Sequence, residues 1–235
     1  MKIMPWHLSL FFLFFFVSSC NSESTYFPHK QGLLWNYKII FRSDYTGVEE
    51  SKRLSVTNVS LFKDKKGIAF SKVFSNGNIV SFLKEKHNKS LLRTRAILKS
   101  TNGLDEPVKK ILYPSTLFEK EKWKAISQLF ITRGYQPPLR GFIPSAIFDI
   151  NYSIKKRDFS FELQGRKFLN CIYIEGKGNS EFIADTRSGP IPIEIKTREW
   201  LCPGVGLVKE ERTESTNASA FGNMFYKAEL IDFKD

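Results

Sequence analysis

Leu33, Trp35, Tyr37, Ile39 and Phe41 alternate with Leu34, Asn36, Lys38, Ile40 and Arg42. Successive side chains of a β-strand point to opposite faces, so a run of this kind buries one face and wets the other. The same period of two recurs in Phe159, Phe161 and Leu163 and in Ile193 and Ile195. Further strand-like runs fall at 52–62, 67–74, 79–86, 90–98, 151–157, 167–175, 180–186, 205–214 and 223–233. Turn signals punctuate them. Ser75-Asn76-Gly77-Asn78 is the strongest hairpin, because Asn-Gly takes positive φ readily. Lys63–Gly67, Gly176–Asn179 and Ser188–Pro190 are weaker ones. Helical periodicity is scarce. Leu117–Phe130, capped by Ser115 or Thr116 but also containing a strand-like Trp-Lys stretch, and a single turn over Ile143–Ile150 are the candidates. The expected fold is therefore mainly β, a single domain built on a large curved or closed antiparallel sheet with one or two short helices.

The N-terminus has a different character. Lys2 precedes Leu8–Val17, an apolar run interrupted only by Ser9. Ten residues suit the apolar region of a signal peptide and fall short of the roughly 20 needed to span a bilayer. Val17-Ser18-Ser19-Cys20 follows, an aliphatic residue, two small ones and a cysteine. This is the lipobox pattern, in which the thiol carries diacylglycerol and the small residues admit the peptidase. The reading divides the chain into a signal peptide (1–19), a lipidated Cys20 with a polar tether (20–30) and one β-rich domain (31–235). Asn21 is not the Asp that retains enterobacterial lipoproteins in the inner membrane. The expected address is the outer membrane, facing the periplasm, held by acyl chains on Cys20.

The chain carries 36 Lys+Arg against 24 Asp+Glu, a net charge of +12. Export excludes nucleic acid as the partner of this charge and leaves anionic envelope components. The lysines are dispersed, as in Lys63, Lys65 and Lys66 or Lys120, Lys122 and Lys124, which is the pattern of a solvated face. Beyond Cys20 only Cys171 and Cys202 remain, either paired in an oxidising compartment or left as two buried thiols.

Catalytic and metal-binding spacing is missing. His29 and His87 stand apart from other ligand-type residues, and there is no HExxH, CxxC, phosphate loop or GxSxG elbow. Glu162, Glu175, Asp185 and Glu194 lie on different expected strands as surface acids. No catalytic residue, metal site or cofactor is expected. The sequons at Asn58, Asn88, Asn151 and Asn217 have no significance in a bacterial chain.

Two segments stand out. Phe27-Pro28 leads through Gly32 into a strand carrying Trp35 and Tyr37; near the other end, Trp200-Leu201-Cys202-Pro203-Gly204-Val205-Gly206-Leu207-Val208-Lys209 sets a Pro-Gly-x-Gly turn between two strands. Both read as structural, with Trp35, Tyr37 and Trp200 filling a core and Gly204 and Gly206 supplying positive φ behind Pro203. They resemble the opening FP-x-x-x-G-x-x-W-x-Y and closing W-x-x-P-G-V-G-L-V-K-x-E of uncharacterised Gram-negative envelope lipoproteins of the TapB-like kind. Gln164–Cys171 is similar to a third strand of that group. The resemblance implies a β-rich fold, loosely like the curved-sheet lipoprotein carriers, and assigns no catalytic residue. Cys202 stands where a small residue is more usual, so a Cys171–Cys202 bridge would be peculiar to this chain.

Three functions remain open on these grounds. The favoured one is a non-enzymatic binding or scaffolding module. The alternative is an acyl-chain carrier with an apolar cavity in the sheet, and a hydrolase is the third. A wide apolar cavity marks the carrier, and clustered carboxylates in a cleft mark the enzyme.

Overall fold

The computed structural model describes residues 25–87, 90–97, 105–106, 110–113, 122–132, 147–163, 165–184 and 189–235. Every regular element among them is a strand. In chain order these are β1 (Leu34–Ser43), β2 (Val48–Lys63), β3 (Gly67–Phe74), β4 (Ile79–Glu85), β5 (Leu91–Ile97), β6 (Asp105–Glu106), β7 (Lys110–Tyr113), β8 (Lys122–Gln128), β9 (Ile147–Leu163), β10 (Arg166–Ile183), β11 (Pro190–Cys202), β12 (Gly206–Ser215) and β13 (Asn223–Lys234).

All pairings are antiparallel, in the order β6-β5-β4-β3-β2-β1-β13-β12-β11-β10-β9-β8, with β7 on β5. Pairing of β1 with β13 joins the two ends of the domain, Trp35 lying opposite Phe233. The sheet curls until β7 meets β8. There the Trp123 indole N–H donates to the Leu112 carbonyl at 3.1 Å. The result is a nearly closed antiparallel barrel, as the period-two pattern implies.

The alternation sets which face is inside. Trp35, Tyr37 and Ile39 are buried with Val56, Ala228, Leu230 and Phe233 at one end. Ile150, Ile193, Ile195, Phe221 and Met224 fill the other. Glu194, Lys196 and Lys177 are exposed on the outer face. Polar outside and apolar inside is the reverse of a lipid-facing barrel. No helix among the described residues is long and apolar enough to cross a membrane.

The Asn76-Gly77 and Lys63–Gly67 hairpins form as expected. Gly77 has φ +87°. Asp64 Oδ1 accepts from the amides of Lys66 and Gly67.

The structure departs from the sequence reading in four places. The helix over Leu117–Phe130 gives way to β8 across Lys122–Gln128, and the helical turn to β9 from Ile147; residues 114–121 and 143–146 lie outside the described residues. In β8 the phase that decides is Trp123, Ala125 and Ser127, opposite Tyr152, Ile150 and Phe148. A period of two there outweighs helical propensity, because tertiary pairing overrides local preference. Gly176–Asn179 is not a turn: β10 runs straight through it. A Cβ on Gly176 would lie 2.3 Å from Thr197 Oγ1 and 2.7 Å from the Tyr152 ring, so this glycine makes room for an aromatic rather than for a bend. Residues 25–30, read with the tether in the sequence, pack against the barrel. Tyr26 is buried and bonds through its hydroxyl to the Asn170 carbonyl, and buried Asn58 holds the carbonyls of Pro28 and Lys30.

Candidate functional site

Along β11 the inward phase is Ile191, Ile193, Ile195, Thr197, Glu199 and Leu201, all buried. Two of the six positions are polar. On β12 the partners of Ile195, Thr197 and Glu199 are Glu214, Arg212 and Glu210. Directly opposed residues of antiparallel strands share a face with Cβ atoms about 5 Å apart. Three carboxylates and a guanidinium therefore converge inside the barrel.

They divide into two pairs. Arg212 Nε donates to Glu214 Oε1 at 2.8 Å, and its terminal nitrogens donate to Ser127 Oγ at 2.9 Å and the Gln128 carbonyl at 2.7 Å. Glu214 also accepts from the amides of Phe130 and Ile131, at 2.8 and 2.7 Å. This network is satisfied within itself and ties the end of β8 to the barrel wall. A buried ion pair of this kind is costly to break, because either partner alone is a stranded charge.

Glu199 and Glu210 stand on the other side. Glu199 Oε2 accepts a 2.5 Å hydrogen bond from the Tyr113 hydroxyl on β7. Burial, then the facing charge of Glu210, pushes the Glu199 carboxyl up to about 7. Burial raises Glu210 as well, against the opposing pull of Arg212. Two facing carboxylates in a buried site cannot both ionise cheaply, so ionisation of the pair is pushed up toward neutral pH. Tyr152, stacked on Trp123 at 5.4 Å, forms an aromatic wall, and burial raises its hydroxyl far above the ordinary phenol range.

These groups border a cavity of about 280 Å³, with Arg93, Tyr113, Ser127, Tyr152, Glu199 and Glu210 among its lining. It lies where β7 and β8 meet, at the seam of the barrel. A second cavity of about 480 Å³ is bordered by Lys122, Lys124, Lys155 and Lys177 with Glu175, beside Trp123 and Tyr152.

Cys20 lies outside the described residues. Cys171 and Cys202 are disulfide-bonded and fully buried, their Cα atoms 4.2 Å apart. The two sequence segments are joined to each other. Trp35 Nε1 donates to the Val205 carbonyl at 2.7 Å, and the Tyr37 hydroxyl to the Leu207 carbonyl at 2.8 Å. The Gly204 amide donates to the Thr25 carbonyl at 2.9 Å, and Gly204 and Gly206 have φ +78° and +89°. Pro203 occupies the turn ahead of them. Lys72 Nζ sits 4.1 Å from the Trp35 ring centroid, and burial lowers its ammonium to about 8. Trp200 departs from the expected deep core: it is half-buried, between the Tyr173 ring at 4.9 Å and Lys209 Nζ at 4.6 Å.

The acids singled out by sequence are elsewhere. Glu162 and Glu194 are exposed, Glu175 is engaged by the Tyr173 hydroxyl at 2.7 Å, and Asp185 lies outside the described residues. The inner carboxylates were missed. Their signal was phase: Glu199 falls on the same alternate positions as Ile193 and Ile195. Among the described residues, no group of His, Cys, Asp and Glu has the arrangement to hold a metal ion.

The chain matches no protein-family model and no curated protein. Among solved structures it is similar to a candidate lipoprotein from Parabacteroides distasonis ATCC 8503, with 16% identity and a TM-score of 0.42 over 90% of this chain and 99% of that one. It is also similar to a candidate exported protein with a YmcC-like fold from Bacteroides fragilis NCTC 9343, with 10% identity and a TM-score of 0.41 over 89% and 98% of the two chains.

Proposed function

We propose that this chain is a lipid-anchored protein of the bacterial envelope that binds, without turnover, a small polar ligand carrying a cationic group. The lipobox at Val17–Cys20 supports the anchor, and acyl chains on Cys20 would hold the barrel at the outer membrane, facing the periplasm. The buried Cys171–Cys202 bridge suits that oxidising compartment. The observation that carries the binding reading is the cavity at the β7–β8 seam with Glu199 opposite Glu210. An amine or guanidinium between these carboxylates would offset the burial and repulsion that raise them and let both ionise. Buried ionisable side chains on the inner face of the barrel, Glu199, Arg212 and Glu214, speak against the acyl-chain carrier, which needs an apolar lumen.

The test is calorimetry with ethanolamine and guanidinium as probes at pH 6. The reading expects binding accompanied by proton release, seen as a dependence of the heat on buffer ionisation. It expects Glu199→Gln/Glu210→Gln to abolish both. No heat with either probe contradicts it.

One observation favours a hydrolase instead. A carboxyl raised to about 7 beside a second carboxylate is how acid and base roles are separated in a site. Turnover of aryl glycosides or esters that disappears in Glu199→Gln would replace binding by catalysis.

A further inference from the structure

The barrel end from which the chain leaves toward Cys20 carries an exposed basic and aromatic hairpin. β1 begins at Leu34 opposite Thr57, and β2 runs on to Lys63. At about 3.3 Å per residue the β2–β3 hairpin overshoots β1 by roughly 20 Å. Phe62 near its tip is 65% exposed, and Leu61 beside it 38%. Lys63, Lys65 and Lys66 are exposed, as is Lys86 on the adjoining turn, whose amide donates to the Lys66 carbonyl at 2.9 Å. The Asp64 carboxylate within this group is occupied by the turn amides. The hairpin thus presents cations around a bare aromatic ring on a hydrogen-bonded tip.

The ordered chain starts beside it. Thr25 Oγ1 accepts from Lys84 Nζ at 3.3 Å, and Lys84 pairs with Ile68, itself the partner of Lys63. The His29 ring lies 6.1 Å from that of Phe70 on β3, which places the entering segment along the hairpin base. Thr25 is five residues beyond Cys20. Five residues span at most about 18 Å. A lipid on Cys20 therefore holds this end of the barrel, and no other, at the membrane.

We infer that the β2–β3 hairpin tip, through Phe62, Lys63, Lys65, Lys66 and Lys86, docks on the anionic phospholipid headgroups of the membrane that holds the Cys20 lipid. The inference rests on the lipid-anchor reading above. Phe62 enters the interface while the lysines meet phosphates, which fixes the orientation of the barrel rather than leaving it to swing on its tether.

The experiment uses the full-length expressed protein, after mass spectrometry of Cys20. If Cys20 is acylated, a fluorophore is attached at Lys65→Cys, and separately at Thr46→Cys in the exposed β1–β2 turn, at the other end of β2. Each labelled protein is reconstituted in phosphatidylcholine vesicles with one-third phosphatidylglycerol and a headgroup nitroxide quencher. Quenching several-fold stronger at position 65 than at 46, and lost in Lys63→Glu/Lys66→Glu/Lys86→Glu, supports the inference. Equal quenching at the two positions, or quenching at 65 that survives charge reversal, overturns it. If Cys20 carries no lipid, the anchor reading fails and the surface is tested alone. Sedimentation of the protein with the phosphatidylglycerol vesicles, abolished by the same charge reversal, supports docking, and its absence overturns docking.

Discussion

The Trp35 indole N–H, on the second residue of β1, is bonded to the carbonyl of Val205, 170 positions away in the β11–β12 turn. Tyr37 repeats the contact one inward position later, on Leu207. The two sequence segments are thus halves of one joint that closes the end of the barrel. Trp35→Phe keeps a ring but strands the buried Val205 carbonyl, at a cost of about 1–3 kcal/mol. Tyr37→Phe should cost about 1 kcal/mol. Chemical denaturation with unchanged m-values is the check, and an unaltered midpoint in both variants contradicts the joint.

Gly204→Ala and Gly206→Ala should differ. Both glycines have positive φ, where a Cβ costs roughly 1–2 kcal/mol. Open space surrounds Gly204, whereas a Cβ on Gly206 would meet Pro28 at 3.2 Å and the Tyr26 carbonyl at 3.3 Å. Thermal melts should therefore rank Gly206→Ala below Gly204→Ala, and both below wild type.

The Cys171–Cys202 bridge closes a loop with a sequence separation of 31. The chain-entropy account gives about 3–4 kcal/mol for such a loop. Cys171→Ala/Cys202→Ala should lower stability by this order. Alkylation of denatured, unreduced wild-type protein should find neither thiol free.

Much of the barrel was legible because alternation is a direct image of a two-faced sheet, and Trp35, Tyr37 and Ile39 gave the phase. Continuity was not. Gly176 and Gly178 looked like a turn because a glycine pair does not reveal whether it bends the chain or admits a neighbour's ring. The segment around Trp123 read as helix or strand, because its pairing with Tyr152 depends on a strand 29 residues away. The site was the least legible part. Glu199 and Glu210 acquire meaning only once the β11–β12 register sets them face to face.

Stability should depend on pH through Glu199. Its carboxyl is raised in the fold from 4.5 to about 7. Below the unfolded value both states carry the proton, and the contribution to stability is fully present. As pH rises toward 7 the unfolded chain ionises first, and stability falls until the folded carboxyl ionises too. At about 1.4 kcal/mol per unit the loss is bounded at roughly 3 kcal/mol. Glu199→Gln should flatten the curve between about pH 4.5 and 7 relative to wild type. Urea midpoints across that range measure it.

The central claim is that the seam cavity holds a protonated carboxyl pair that a cation can displace. Carbon-13 NMR of the Glu199 side-chain carboxyl, assigned by comparison with Glu199→Gln, reads this directly. The account predicts a titration midpoint near 7 in the free protein. It also predicts a shift toward the ordinary carboxylate value as guanidinium or ethanolamine is added. A midpoint near 4.5 without ligand, or one that neither cation moves, would contradict it.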